Sequence, residues 1–160
     1  MANKWAKGKF IPKNPQKYMG NKAPTYRSSW EFVFMKFCDE NAHITEWASE
    51  PMRIPYVNPI KQCKTTYMPD FLIAYKDKSG QRVVELIEIK PKKQILSEAK
   101  TQRDKIQGVI NQAKWQAAEA FCAQKGFTVH IVDQSRGQEA GYKSLTFQVD
   151  GAYAYGTLKS

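Results

Sequence analysis

Several residue combinations that would define a function are missing from this sequence. The three cysteines, Cys38, Cys63 and Cys122, are odd in number, widely spaced and without a CxxC pair, so neither a disulfide framework nor a zinc site is expected. The only two histidines, His43 and His130, stand far apart. A histidine-based metal centre or catalytic triad would have to recruit distant partners. We therefore interpret the cysteines as reduced thiols and assign no function to the histidines.

Long hydrophobic runs are also absent. No apolar stretch approaches the roughly 18 residues that a membrane helix needs, and the lysine-rich N-terminus lacks the apolar segment of a secretory signal. With 160 residues, 42% of them hydrophobic, the chain is long enough and apolar enough to bury one core. We expect a soluble, non-exported protein of one domain, without a membrane partner.

Acidic residues are missing from the first 30 positions. Seven of the 25 basic residues precede the first acid, Glu31. They are Lys4, Lys7, Lys9, Lys13, Lys17, Lys22 and Arg27. The rest of the chain is nearly balanced, so most of the net charge of +10 lies in one segment. Such a segment suits a polyanion such as DNA or RNA; the alternative is a solvated lysine-rich tail without a partner.

The basic segment also contains aromatic residues. Prolines and glycines within residues 1–26 disfavour a long regular element, yet Trp5, Phe10, Tyr18 and Tyr26 are interleaved with the lysines. These rings either pack on the domain, the more common outcome, or stack on nucleic-acid bases. We predict a basic N-terminal arm over residues 1–26.

The remaining chain predicts an α/β domain. Ser28 or Ser29 caps a first helix that carries Glu31 in its first turn, and alternating β-branched and aromatic residues indicate strands. The predicted order is a helix from residue 28, strands at 52–57, 65–75 and 82–90, a helix at 96–124 and a strand at 127–132. This order favours a mixed central sheet flanked by helices. The predicted core spans residues 27–133, and the C-terminal extension, residues 134–160, contains one candidate strand at 145–149.

The second helix has an apolar stripe at three- and four-residue steps. Its members are Ile106, Val109, Ile110, Ala113, Ala117 and Phe121. We expect this stripe to be buried.

Two acidic motifs lie on the strands at 65–75 and 82–90. The loop between them, residues 78–80, ends in Gly80, and three-residue hairpin loops require glycine at that left-handed position. Counting outward from the loop places Asp70 directly opposite Glu88. Two facing carboxylates repel each other, and a bound divalent cation removes the repulsion. Oxygen ligands of this kind suit Mg²⁺ or Mn²⁺.

The neighbours of Glu88 complete a candidate catalytic site. Lys90 shares the face of Glu88, whereas Ile89 points into the core and leaves its backbone carbonyl as a further metal ligand. Lys90 is placed to orient or deprotonate a water, or to stabilise charge on a phosphate. Glu31 is a candidate outer carboxylate, and Glu85, on the opposite face, is expected to face solvent. The alternative is that Asp70 and Glu88 form ordinary surface ion pairs.

The order Glu31, Pro69-Asp70 and Glu88-x-Lys90 resembles the PD-(D/E)xK nuclease superfamily. The resemblance implies a single restriction-endonuclease-like domain. It also implies that an acid of the first helix, the two motif acids and the lysine form the catalytic site, and here these are Glu31, Asp70, Glu88 and Lys90.

A more specific resemblance is to the head completion nucleases of myovirus-type tailed phages. It is carried by segments 8–32, 47–59, 68–75 and 85–94. It implies a Mg²⁺-dependent deoxyribonuclease that acts on packaged DNA when the filled head is closed. The implied partners are DNA and phage head or portal proteins, and the implied location is the host cytoplasm or the virion.

The same resemblance implies which residues contact DNA. Arg27, Lys92 and Lys93 would face phosphates, whereas phosphate contacts of the lysines of the arm are predicted from its positive charge. Asn111 and Lys114 lie on the less apolar face of the second helix, where they either reach the site or belong to a solvated surface.

Two other functions are compatible with the sequence. One is a non-catalytic DNA-binding or head-closure protein on a nuclease fold, since a fold does not guarantee activity. The other is a module that binds RNA or single strands through the basic aromatic arm, without any metal requirement. Incubation of DNA with Mg²⁺, Mn²⁺ or EDTA distinguishes these functions from a nuclease.

Overall fold

The computed structural model describes residues 7–90, 99–133, 144–149 and 152–157. The helices in this part of the chain are α1 (Ser29–Glu40) and α2 (Gln102–Ala123). The strands are β1 (Gly8–Lys9), β2 (Thr25–Tyr26), β3 (Ile44–Ser49), β4 (Ile54–Asn58), β5 (Cys63–Tyr67), β6 (Phe71–Lys76), β7 (Arg82–Lys90), β8 (Thr128–Asp133), β9 (Ser144–Val149) and β10 (Ala152–Thr157). Neither α1 nor α2 is long and apolar enough to span a membrane.

A mixed four-stranded sheet with the order β3-β6-β7-β8 forms the centre of the domain. β6 is antiparallel to both β3 and β7, whereas β8 runs parallel to β7. On one face of the sheet, hydrophobic residues of α1 pack with Trp47, Phe71 and Ile87. On the other face, Leu86 packs with residues of α2. The predicted α/β class, with a mixed sheet flanked by helices, is confirmed.

The β6–β7 hairpin has the predicted loop and register. Asp77 donates its backbone N–H to the carbonyl of Gln81 at 2.9 Å, which closes the loop. Gly80 adopts a φ of +83°, in the left-handed region that glycine occupies without strain. The pairs run to Phe71 opposite Ile87, and one further step along the same register brings Asp70 opposite Glu88.

One predicted strand is split in two. Residues 65–75 do not form a single strand, because Met68, Pro69 and Asp70 separate β5 from β6. Pro69 has no backbone N–H to donate to a sheet, which explains the interruption. β5 instead pairs with β4 in a separate two-stranded sheet, and β3 is an additional strand that the sequence analysis did not predict.

The second helix begins later than predicted. Thr101 caps the helix, since its hydroxyl accepts the backbone N–H of Asp104 at 3.1 Å. Residues 99–101 therefore precede the helix. Residues 91–98 lie outside the described part. The buried positions are Gly108, Asn111, Ala118 and Cys122. The predicted stripe is therefore only half-buried, and Ile106 is 39% exposed. Small residues face the sheet because they permit close packing of the helix.

The described part of the N-terminal segment packs on the domain. β1 pairs with β2, and Phe10 is only 8% exposed within the core. The ring of Phe10 makes edge contacts with Phe32 and Trp47, each at 5.9 Å between centroids. Tyr18 lies 4.7 Å from Trp47. Of the two outcomes considered for these aromatics, packing is the one observed for Phe10 and Tyr18.

The same segment covers the end of α1. The backbone N–H groups of Lys13 and Asn14 donate to the buried carboxylate of Asp39 at 2.8 and 3.0 Å. The Lys17 ammonium donates to the carbonyls of Asp39 and Asn41 at 3.0 and 2.8 Å. Carbonyls at a helix C-terminus lack intrahelical partners, so Lys17 acts as a cap. Burial lowers the pKa of Lys17.

Phe10 tests whether the segment contributes to stability. We expect Phe10→Ala to lower the free energy of unfolding by about 3 kcal/mol, because it leaves a cavity beside Trp47. The neighbouring Ile11 is 85% exposed, so Ile11→Ala should change stability by less than about 0.5 kcal/mol. Urea denaturation of both variants measures the difference. Equal effects would show that the segment does not belong to the core.

Candidate active site

Asp70 and Glu88 are held together by reciprocal backbone hydrogen bonds. The N–H of Asp70 donates to Oε2 of Glu88 at 2.9 Å. The N–H of Ile89 donates to Oδ2 of Asp70 at 2.8 Å. Each carboxylate is therefore positioned by the backbone next to the other, at the end where β6 begins and β7 finishes.

The electrostatics of the pair are unfavourable to two negative charges. Glu88 is 1% exposed, and burial, together with the carboxylate of Asp70, raises its pKa to about 7. Burial also raises the pKa of Asp70, whereas Lys90, the Ile89 N–H and Arg27 lower it. Carboxyls with raised pKa values in a shared site are a common feature of functional centres.

Lys90 and Ile89 occupy the predicted faces of β7. Ile89 is 5% exposed and belongs to the core with α1. Lys90 is half-buried on the face of Glu88, and its charge lowers the pKa values of both Glu88 and Asp70. The two carboxylates and the lysine thus share one face at the end of the hairpin.

Glu31 is fixed at the start of α1. The Ser28 hydroxyl accepts the N–H of Glu31 at 3.1 Å, and the Glu31 carboxylate accepts the N–H of Arg27 at 3.3 Å. This arrangement is close to a capping box. Burial and then the charge of Asp70 raise the pKa of Glu31. The helix cap therefore holds Glu31 within electrostatic reach of Asp70.

Arg27 is linked to the same site through Glu50. Its guanidinium pairs with the Glu50 carboxylate, and its charge lowers the pKa values of Asp70 and Glu31. Glu50 has a φ of +47°, and its backbone N–H donates to the carbonyl of Asp70 at 2.9 Å. The Arg27 side chain is 58% exposed, which leaves it accessible to a phosphate.

Helix α2 contributes a second cation. The Lys114 ammonium lies 5.8 and 5.5 Å from the ring centroids of Tyr56 and Tyr67. Burial and the charge of Lys90 lower the pKa of Lys114, while Glu88 and Asp70 raise it. Lys114 therefore reaches the site and does not belong to a solvated surface.

Asn111 is also not part of a solvated helix face. It is 1% exposed and accepts a hydrogen bond from Gln107 at 3.0 Å.

Tyr67 and Trp115 are site residues that the sequence analysis missed. The buried Tyr67 hydroxyl and Trp115 indole N–H have no hydrogen-bond partner among the described residues. Burial and then Glu88 raise the pKa of Tyr67. Trp115 lies close enough to Glu88 to lower its pKa, although its geometry falls short of a hydrogen bond. Two features of the sequence could have indicated them. Tyr67 is only three residues from Asp70, and Trp115 follows Asn111 by one helical turn.

The other predicted residues are exposed on the N-terminal segment or lie outside the described part. Lys7, Lys9, Lys13 and Lys22 are exposed, and Lys13 pairs with Glu40 at 3.5 Å. Lys4, Lys92 and Lys93 fall outside the described residues.

The expectation that Glu85 faces solvent is wrong. This carboxylate is 9% exposed and accepts the Tyr75 hydroxyl at 3.0 Å. Burial raises the pKa of Glu85. Its face of the sheet is covered by the core with α1, which leaves little access to water.

Comparison with known proteins identifies the family. The TnsA-like endonuclease N-terminal domain matches residues 41–134. The head completion nuclease of Enterobacteria phage T4 is 36% identical over 148 residues, covering 85% of this chain and 96% of that protein. The chain belongs to the TnsA-like endonuclease family. It is therefore a nuclease with the PD-(D/E)xK type of fold, and the predicted similarity to phage head completion nucleases is confirmed.

A shorter similarity covers the C-terminal part of this TnsA-like chain. The PCRF domain matches residues 115–160. Peptide chain release factor 2 of Acholeplasma laidlawii is 50% identical over 42 residues, and that of Janthinobacterium sp. is 50% identical over 40. These matches span 12% and 11% of the two release factors, so they show similarity of a segment only.

The predicted strand at 145–149 corresponds to β9, which pairs with β10.

The ligand set of the TnsA-like site fits a hard divalent cation. Among the described residues, no three acidic, histidine or cysteine side chains are close enough to enclose a metal ion. Mg²⁺, however, is commonly held by one or two carboxylates and keeps waters or substrate oxygens as its other ligands. Asp70, Glu88 and the Ile89 carbonyl provide such a set, whereas zinc prefers nitrogen and sulfur ligands.

Because the pKa of Glu88 is raised, we predict that replacing its carboxyl with a neutral amide stabilises the metal-free protein. The size of this gain should depend on pH. The pKa rises from 4.5 to about 7 on folding, so the metal-free protein loses stability as the pH increases across this interval. At pH 8 in EDTA, Glu88→Gln should raise the free energy of unfolding by about 1–3 kcal/mol, and the gain should shrink at pH 5. Urea denaturation at both pH values measures it.

Glu119→Gln is the matched control, since Glu119 is an exposed residue of α2. It should be neutral at both pH values. If Glu88→Gln is less stable than the wild type at pH 8, the ionised Glu88 does not destabilise the folded, metal-free protein.

Proposed function

We propose that this TnsA-like nuclease is a divalent-metal-dependent deoxyribonuclease that acts on packaged DNA during phage head completion. The observation that carries the proposal is the pair of Asp70 and Glu88, held face to face by backbone hydrogen bonds with Lys90 on the same face. A pair of charges that burial and mutual repulsion destabilise is a natural position for a cation.

The metal ligands in this proposal are Asp70, Glu88 and the backbone carbonyl of Ile89. When bound there, Mg²⁺ or Mn²⁺ would supply a Lewis acid that activates water and stabilises charge on the phosphate. Asp70 and Glu88 must both be ionised to act as ligands, and Lys90 favours that state because it lowers both of their pKa values.

The cationic groups have the remaining roles. Lys90 orients or deprotonates the attacking water, or stabilises the growing charge on the phosphate. Arg27, exposed at the edge of the site, contacts a phosphate, and Lys114 adds positive charge from α2. Glu31, near Asp70, acts as an outer carboxylate that accepts hydrogen bonds from ordered water.

The remaining DNA contacts are assigned to other cations of the chain. Lys7, Lys9, Lys13 and Lys22 are accessible to phosphates, and Lys4, Lys92 and Lys93 stay predictions from the sequence. Lys17 also stays a prediction from the sequence, and its ammonium caps α1 in addition. Because the T4 relative is a head completion nuclease, we place the action of this chain during head completion, with head or portal proteins as partners in the host cytoplasm or the virion.

A cleavage assay tests the proposal. Plasmid and linear duplex DNA should be cut in Mg²⁺ or Mn²⁺ and left intact in EDTA. Asp70→Ala, Glu88→Ala and Lys90→Ala should each slow cleavage at least about a hundredfold, with circular dichroism confirming that the fold is retained.

The matched control is Glu85→Gln, which changes a buried carboxyl of the same strand on the opposite face. It should cut like the wild type. DNA binding without cleavage under any metal condition would indicate a non-catalytic DNA-binding protein, and full cleavage by Asp70→Ala would refute the assigned site.

A further inference from the structure

A cavity of about 570 Å³ lies beside the candidate site. Its walls are the N-terminal segment around residues 18–27 and the chain at residues 48–53, and Met68 and Leu72 complete the lining. None of the sequence motifs predicted it, because its walls come from distant parts of the chain.

The cavity lies beside the segment that carries Asp70. Ala48 and Leu72, which line it, are paired across β3 and β6. Asp70 immediately precedes β6 and Leu72 is the second residue of that strand, so the two lie on the same side of the extended chain about 7 Å from each other. Glu50 lines the cavity as well, and its N–H holds the Asp70 carbonyl. A ligand in the cavity would therefore lie next to a phosphate at the carboxylates.

The charged residues of the lining are mostly basic. It contains Lys22, Arg27 and Arg53 against a single acid, Glu50. Because Glu50 is already paired with Arg27, Lys22 and Arg53 provide the excess positive charge. Both of these residues are exposed. Such a lining attracts an anionic ligand.

The lining also offers apolar surface. Met19 is 52% exposed and Met68 is 39% exposed. Thioether side chains are polarisable and adapt their shape to aromatic partners. Sites for single-stranded nucleic acid combine cations for phosphates with aromatic surface for bases, and here the two thioethers take the place of the aromatic surface.

The wall formed by residues 18–22 is fixed in shape. The Tyr18 hydroxyl donates to the carbonyl of Lys22 at 2.8 Å, and the Met19 N–H donates to the carbonyl of Trp47 at 2.8 Å. A Cβ at Gly20 would overlap the Tyr18 hydroxyl, so glycine is required for this closure. The cavity is therefore formed before any ligand binds.

We propose that this cavity is a subsite for an unpaired nucleotide adjoining the scissile phosphate. Its volume lies within the range of about 300–1,000 Å³ found for small-ligand pockets, which admits a nucleotide and excludes a base-paired duplex. The preferred substrate is then DNA with a single-stranded end or gap. The inference rests on the proposed function, because it takes Asp70 and Glu88 as the place of cleavage.

Binding of a fluorescein-labelled thymidine tetranucleotide in EDTA tests the subsite without cleavage. The double variant Lys22→Ala/Arg53→Ala should bind it about tenfold more weakly than the wild type. Lys76→Ala/Lys78→Ala removes the same number of positive charges at the loop end of the β6–β7 hairpin, the opposite end from Asp70. This control should bind within about twofold of the wild type.

The apolar surface has its own test. An abasic phosphodiester of the same length and charge should bind the wild type more weakly than the tetranucleotide, because it has no base to contact Met19 and Met68. Equal binding of the two ligands would overturn recognition of a nucleotide and leave only attraction of an anion.

Cleavage gives a second readout. With Mg²⁺, the wild type should cut a duplex with a four-nucleotide overhang faster than a blunt duplex, and Lys22→Ala/Arg53→Ala should lose that preference. If the two double variants bind the tetranucleotide alike while the wild type cuts DNA, the subsite is wrong and the proposed function stands. If only Lys22→Ala/Arg53→Ala weakens binding but the wild type cuts no DNA, the proposed function is wrong and the nucleotide site stands.

Discussion

The repulsion between two carboxylates on adjacent strands is the constraint on which the site depends. The backbone N–H groups of Asp70 and Ile89 hold the carboxylates of Glu88 and Asp70 in place, and burial of the pair raises both pKa values. The free energy that this arrangement costs is compensated only when positive charge approaches. Lys90 supplies part of it, and the proposed cation supplies the rest.

Elements that are distant in sequence converge on this pair. Helix α1 presents Glu31 through its N-terminal cap, and the turn after β3 brings Glu50, which links Arg27 to Asp70. Helix α2 presents Lys114 within electrostatic reach of Glu88 and Asp70. The fold thus surrounds a locally unfavourable pair with cations, and the same convergence forms the cavity on the β3 side.

Local features of this fold were predictable from sequence, whereas long-range packing was not. The loop ending in Gly80 fixes the register of the hairpin, so the opposition of Asp70 and Glu88 follows by counting. Phe10 in the core and Lys17 on the end of α1 depend on contacts across more than 20 residues. The burial of Glu85 depends on a tertiary partner, the Tyr75 hydroxyl. Neither propensity nor periodicity carries that information.

The most direct test of a cation between Asp70 and Glu88 is a crystal structure of the DNA-free protein with Mn²⁺, using anomalous scattering to locate the ion. The account predicts a peak within about 2.0–2.6 Å of oxygens from both carboxylates, and its loss in Asp70→Asn. Glu85→Gln should keep the peak. A map with no peak at this position, with Asp70 and Glu88 instead forming ordinary ion pairs with Lys90 and Lys114, would contradict the account.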